Sequence, residues 1–334
     1  MDDLERSVDR IAAETGFSGV VRIDRGGRVE IAKAYGLAHR GWGIPNAVDT
    51  RFGIASGTKA LTALTVMSLI EEGRLDVDTT ARSVLGEDLP LIDDGVTVEH
   101  LLSHSSGIGD YFDEATITSM TDYVMPVPVH RLATTPDYLA VLDGHVQQFA
   151  PSERFAYNNG GFVVLALIAE RAGEMPFPEL VRTRVCEPAG MRDTEFLRSD
   201  EPCERAALGY LDSDGLRTNL LHLPVCGSGD GGAYSTAADI HALWSAFYAG
   251  RIVPLDRVAE MVRPRSDVPS EAMRYGLGLR LHPTGDAVIL EGSDAGISFW
   301  SEHVEATGLT HTVLANTTAG AWPVTRRLGE LLAA

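Results

Sequence analysis

The most sharply patterned stretch of the chain is Ser56–Ile70, where Lys59 is the only formal charge and every other position is apolar, Gly, Ser or Thr. Glu71-Glu72-Gly73 stops the run. A helix that is apolar nearly all round is predicted to lie buried at the centre of a fold. Upstream, Asp3–Thr15 puts Leu4, Val8, Ile11 and Ala12 on one stripe, the pattern of an amphipathic helix. Gly19–Asp24 and Arg28–Tyr35 are β-rich runs on either side of Arg25-Gly26-Gly27, a hairpin signal. Downstream, a short helix is predicted after the Thr97 cap, another at Thr135-Pro136-Asp137 and a strongly apolar one over Gly160–Arg171. Strand signals return with Gly276–His282, Ala287–Glu291, Ile297–His303 and Thr310–Asn316, and a last helix runs from near Pro323 to Leu332.

Two strands, a helical middle, several strands and a final helix predict an α+β fold: an antiparallel sheet flanked by helices and built from both ends of the chain, with an all-helical domain inserted. The boundaries fall at 1–55 and 236–334 for the sheet domain and 56–235 for the helical domain. A site is expected in the groove between them. Gly107 to Thr135 carries few helix signals and predicts a loop over that groove.

Composition narrows the setting. The 334 residues are 44% hydrophobic and 22% charged, as in an ordinary globular protein with a sizeable core. A net charge of −19 disfavours nucleic acid and anionic membranes as partners. No apolar run reaches the roughly 20 residues that span a bilayer. The first residues, Met1-Asp2-Asp3-Leu4-Glu5-Arg6, lack the pattern of a secretory signal. Cys186, Cys203 and Cys226 are odd in number and without metal-like spacing, so they are expected as free thiols. These features together predict a cytoplasmic protein, and they leave its oligomeric state open.

Chemistry enters with Ser56 and Lys59. Residues three apart are neighbours on a helix face, and the chain has only two lysines, Lys33 and Lys59. Burial lowers a lysine's pKa, and a neutral amine beside a hydroxyl can take its proton as the oxygen attacks a carbonyl. The structural alternative is a lysine snorkelling from a core helix that Ser56 caps. Other solutions fail on inspection: there is no Gly-x-Ser-x-Gly elbow, no His-Glu-x-x-His and no paired-cysteine zinc pattern. His100 and His104 are four apart but lack a third ligand nearby, so no metal and no cofactor are expected. Gly227–Gly232 is glycine-rich but lacks the Lys-Ser/Thr of a phosphate loop, which makes it a turn before a helix capped at Ser235 or Thr236.

A second candidate, Tyr157-Asn158-Asn159, stands just before the apolar 160–171 helix. By itself it would be a packing Tyr and a helix-capping Asn159. Taken together, Ser56-Gly57-Thr58-Lys59 and Tyr157-Asn158-Asn159 resemble the first two motifs of the serine β-lactamase and penicillin-binding-protein superfamily. The Tyr-x-Asn form is similar to its class C branch, with family VIII carboxylesterases and D-amino-acid peptidases. Val98–Gly107, Pro188–Thr194, Gly231–Asp239 and Tyr275–Gly278 resemble that branch too.

The resemblance implies Ser56 as nucleophile, Lys59 and Tyr157 sharing base and acid duties, and Asn159 orienting substrate. It places the third motif at Leu290-Glu291-Gly292, before Ser293, where only the glycine matches. The amides of Ser56 and Ser293 would then form an oxyanion hole. An apolar Leu290 and an acidic Glu291 in place of a base predict poor binding of anionic substrates. The implied function is a serine hydrolase working through an acyl-enzyme on a small ester, amide or peptide. A D-stereospecific peptidase, a β-lactamase, an acyltransferase and a non-catalytic binding module of the same fold stay open as alternatives.

Overall fold

The structure, a computed structural model, describes residues 2–114 and 116–333. Helix α1 (Asp2–Thr15) leads into strands β1 (Gly19–Arg25) and β2 (Arg28–Tyr35), joined by the expected tight turn. After helices α2 (Thr58–Glu71), α3 (Asn159–Gly173) and α4 (Ala237–Tyr248) come six further strands: β3 (Ser266–Val268), β4 (Met273–Tyr275), β5 (Arg280–Leu281), β6 (Val288–Asp294), β7 (Ile297–Val304) and β8 (Leu309–Ala315). Helix α5 (Ala321–Ala333) follows. The strands form one eight-stranded sheet in the order β2-β1-β8-β7-β6-β5-β4-β3, with every neighbouring pair antiparallel. A continuous strand over Gly276–His282 does not form. Gly276 and Gly278 make a turn, Gly278 at φ 72°, that leaves only Arg280–Leu281 extended. The short pieces at 266–268 and 273–275, too brief for a two-residue period to show, complete the sheet's edge.

Side-chain alternation gives the central strands two buried faces. Val21, Ile23 and Val313 pack with Val8 and Ile11 of α1 and Val324 and Leu328 of α5. Val20, Leu314 and Phe299 face the other way, into a larger core with α2, α3 and α4. Where the chain leaves the sheet and where it returns, Phe52–Gly53 pairs with Tyr234–Ser235.

Helix α2 is buried along its length from Thr58 to Ile70, which explains why its sequence has no polar face. Leu61, Leu64 and Met67 are at most 2% exposed, and each such burial stabilises by ~1.5–3 kcal/mol. The turn before it, Ala55–Gly57, is a 3-10 turn in which Ala55 adopts φ 43°. That left-handed conformation costs an alanine about 1–2 kcal/mol. It is held in place because β6 presses on the turn from the sheet side. A Cβ on Gly292 would lie 2.2 Å from the Ile54 carbonyl oxygen and 2.8 Å from the Ser56 nitrogen. Gly292→Ala is therefore expected to lower stability by about 1–3 kcal/mol, the range for forced overpacking. Urea denaturation measures it, and an unchanged midpoint would show that strand and turn are not in contact.

Candidate active site

Ser56 lies in the turn that opens α2, and its hydroxyl caps nothing. Gly57 is the N-cap residue, with no side-chain cap bond. The hydroxyl faces Lys59 instead, with Oγ 2.9 Å from Nζ. Lys59 is 2% exposed. Its other partners are Asn159 Oδ1 at 2.7 Å and the Asp230 carbonyl oxygen at 2.9 Å, both acceptors only. A neutral amine has two N–H groups and one lone pair. With its two hydrogens given to those oxygens, the lone pair is left for the one partner that can also donate, Ser56. Burial pushes the Lys59 pKa below its ordinary value, while the carboxylates of Asp230, Glu114, Asp110 and Asp294 pull it back up.

Asn159 reaches Lys59 because its neighbour takes over the capping. Asn158 caps α3, its Oδ1 accepting from the Gly161 amide at 2.6 Å and its Nδ2 donating to the Ile108 carbonyl at 2.8 Å. Asp110 holds the same helix start, accepting from the amides of Asn159 at 2.6 Å and Gly160 at 2.9 Å. Burial pushes this carboxyl up to about 6, against the pull of the amides. Asn159 Nδ2 then donates to the Phe112 carbonyl at 2.9 Å and to Glu114 at 3.1 Å. The chain beyond Gly107 is thereby laid over the groove, as its lack of helix signals implied. One asparagine ties this loop to the lysine.

The glycine-rich turn at 227–232 is part of the site. Besides its carbonyl, Asp230 supplies a carboxylate that accepts from the Tyr111 hydroxyl at 2.5 Å. The turn can approach because Gly229 has no side chain: a Cβ there would lie 2.1 Å from the Phe162 carbonyl oxygen of α3. The next helix is capped by Thr236, whose side chain accepts from the Asp239 amide.

Tyr157 borders the same cleft, its ring centroid 4.9 Å from Lys59 Nζ. Burial, with Glu114 and Tyr275 nearby, raises its phenol well above the ordinary value, while a hydrogen bond with Ser56 opposes the rise. Behind it sits His104. Its ring lies 4.4 Å from that of Tyr157, its Nδ1 accepts from the Asn158 amide at 3.0 Å, and its backbone carbonyl accepts from the Ala156 amide. With Nδ1 an acceptor, the hydrogen sits on Nε2, which faces the Tyr275 hydroxyl at 3.2 Å. His104 and His100 therefore do not converge as a ligand pair; His100 closes a capping box with Thr97 and contacts Ser152.

At the third expected motif, Gly292 abuts the Ser56 backbone as described, and Ser293 follows on the same strand. Leu290 is 4% exposed, part of the core that lines the cleft wall. Glu291 is not a lone anion: its carboxylate pairs with Arg280 Nη1 at 2.6 Å. Arg280 comes from the adjacent strand, β5, and its approach to Glu291 depends on sheet register that no local sequence pattern encodes.

A Beta-lactamase family model matches residues 4–329 of the chain. Esterase EstB of Burkholderia gladioli is 34% identical over 225 residues, covering 63% of this chain and 54% of that protein. The D-aminopeptidase of Brucella anthropi is 27% identical over 282 residues, covering 81% of this chain and 50% of that protein. The chain thus spans about half the length of these two curated relatives. Among solved structures, a penicillin-binding protein from Bacillus halodurans is similar over 97% of this chain and 99% of its own, at 33% identity and a TM-score of 0.91. No helix among the described residues is long and apolar enough to cross a membrane.

His104 has a measurable signature. Burial first, then Lys59, lowers its pKa well below the ordinary value. The unfolded chain therefore binds a proton near pH 6.5 that the folded state refuses, and the stability from this group is lost as pH falls below that point. Each pH unit below it costs about 1.4 kcal/mol until the folded-state pKa is reached. The wild type is expected to lose stability more steeply than His104→Asn between pH 6.5 and 5, by about one proton's worth of slope. Equal slopes in urea titrations at several pH values would contradict the buried neutral imidazole.

Proposed function

We propose that this chain, which belongs to the Beta-lactamase family, is a serine hydrolase that cleaves small esters or amides through an acyl-enzyme on Ser56. The observation that carries the reading is the buried Lys59 Nζ, held 2.7 Å from Asn159 Oδ1, 2.9 Å from the Asp230 carbonyl oxygen and 2.9 Å from the Ser56 hydroxyl. Relatives named as an esterase and a D-aminopeptidase support the same class of reaction.

In this reading the two groups that flank Ser56 have different duties. Lys59, with its pKa lowered, is the base that takes the Ser56 proton as Oγ attacks the carbonyl carbon. Tyr157, with its pKa raised, is a neutral acid and gives its proton to the leaving oxygen or nitrogen as the bond to the acyl carbon breaks. The Lys59 ammonium then returns its proton to the phenolate. Water then attacks the acyl carbon as Lys59 takes its proton; the bond to Ser56 Oγ breaks, the acid leaves, and the proton passes from Lys59 to Oγ. The oxyanion would be held by the amides of Ser56 and Ser293. Antiparallel ladders turn alternate amides outward, and with Asp294 and Ile297 closing the β6–β7 hairpin, the outward amide is that of Ser293. Donors of this kind contribute ~3–4 kcal/mol each in comparable enzymes. Asn159 holds Lys59 and positions substrate.

Charge in the cleft favours neutral or cationic substrates over anions. Glu114, Asp230 and Asp294 line it, and Arg280, which supplies a guanidinium on its open side, is engaged by Glu291.

Ser56→Ala is expected to abolish turnover of p-nitrophenyl esters and labelling by a fluorophosphonate probe while leaving the fold intact. Lys59→Arg should be nearly as damaging, since a guanidinium cannot release its proton. Tyr157→Phe should lower kcat by ~10²–10⁴, the range for a lost acid–base group. Parental turnover in Ser56→Ala would remove the assignment; retained kcat in Lys59→Arg would leave Lys59 a structural cation. In the wild type, kcat/KM for a neutral ester should rise with pH through a pKa below that of a free lysine, because the base must be neutral. A flat profile from pH 6 to 10 would argue against it.

A further inference from the structure

Ser56 stands where two cavities meet, and they differ in chemistry. Both are bordered by Ser56, Glu114 and Ser293. The first is walled by Phe112, Met120, Tyr123, Met125, Leu223 and Ile297. The second contains Lys59 and Tyr157 together with the Arg280–Glu291 ion pair. Tyr157 borders only the second of these. A leaving group that receives the Tyr157 proton must therefore depart through the second cavity. The acyl group, on the other side of the carbonyl carbon, is directed into the first.

We propose that this chain selects esters and amides whose acyl group is apolar and of a few methylenes, seated in the cavity of about 80 Å³ walled by Met120, Tyr123, Met125 and Leu223, and that it rejects acyl groups ending in a carboxylate. The proposal rests on the acyl-enzyme reading above.

Three observations carry it. Aromatic and methionine side chains dominate the wall, and methionines adapt to ligand shape at little cost. The loops that supply that wall also carry exposed apolar side chains. Val124, between Tyr123 and Met125, is 82% exposed, and Leu221, beside Leu220 of the lining, is 80% exposed. Isolated exposed apolar residues are ordinary, but these two sit on the loops that border the same cavity. The third observation is the charge at its inner end. The Asp230 carboxylate accepts the Tyr111 hydroxyl, and Glu114 and Asp294 also face the cavity. Three acidic side chains, set against a single imidazole, His222, and no arginine or lysine among its lining residues, make the cavity unfavourable for a carboxylate tail.

The test is an acyl series with a constant leaving group: p-nitrophenyl acetate, p-nitrophenyl hexanoate and the p-nitrophenyl monoester of glutaric acid. Acyl-enzyme formation at Ser56 is followed in parallel by intact-mass spectrometry. The hexanoate is expected to exceed the acetate in kcat/KM by about ten- to a hundredfold, the discrimination that a few methylenes give in an apolar pocket. The glutarate monoester should fall below the hexanoate by at least as much. Met125→Gln, similar in size but polar, should cut the hexanoate-to-acetate ratio several-fold. Leu223→Gln should do the same from the opposite wall, so either variant that folds is informative. A ratio near one, with Ser56 acylated by acetate and hexanoate alike, would overturn the selectivity and leave the hydrolase intact. Equal use of hexanoate and glutarate would overturn the charge argument. No acylation by any of the three esters would remove the serine hydrolase reading, and the acyl selectivity with it.

Discussion

A single amine in a desolvated position sets the terms for the rest of the structure. Placing Lys59 inside an apolar helix disfavours its charge, and the fold compensates by giving its nitrogen three partners from three separate parts of the chain. Each of those parts must be held firmly for the nitrogen to be satisfied. Asn158 and Asp110 fix the start of α3 so that Asn159 points inward. Gly229 lets the 227–232 turn lie against α3 so that the Asp230 carbonyl arrives. The strained Ala55 turn, pressed by Gly292 of β6, presents Ser56. Four nearby carboxylates keep the lysine from becoming an indifferent hydrophobe, so its proton affinity is set by a balance rather than by burial alone.

The arrangement also explains why the site lies at a boundary. The sheet contributes strand β6, the helices contribute Lys59 and Asn159, and the loops supply Tyr157, Asp230 and the cover beyond Gly107. None of these elements contains the chemistry alone. His104 links two of them, since its ring supports Tyr157 while its hydrogen bonds reach Asn158 and Tyr275. Its own backbone is left-handed, at φ 55°, a conformation uncommon for a side-chain-bearing residue and costed where the site is assembled.

How much of this was legible in the sequence follows from whether an interaction is local. The helix carrying Lys59, the Ser56–Lys59 spacing, the β1–β2 hairpin and the long central strands are each encoded within one short window. Tyr157 and Asn159 stood out only through resemblance, because a Tyr and an Asn before an apolar helix would otherwise be a packing residue and a cap. It is Asn158 that caps, a one-residue distinction that propensity does not resolve. Asp230 reads in the sequence as part of a turn, since what it gives Lys59 is a carbonyl, and every residue has one. Arg280 was invisible as the partner of Glu291, since strand register brings them together. His104 drew notice for its spacing from His100, whereas its contacts are with Tyr157, Asn158 and Tyr275, which no spacing reveals.

The central claim is that Lys59 is poised as a neutral base, and the chain offers a direct way to measure it. It contains only Lys33 and Lys59, so a protein labelled with 13C at lysine Cε gives two side-chain signals to follow through a pH titration. Lys33, bonded to Asp9 and Glu5, is shifted above the ordinary lysine value. One signal is therefore predicted to titrate above pH 10.5, and the other clearly below it, with the lower one absent from a Lys59→Arg variant. Two signals that both titrate at or above the ordinary lysine pKa would show Lys59 to be a permanent cation, and the account of Ser56 activation would fall with it.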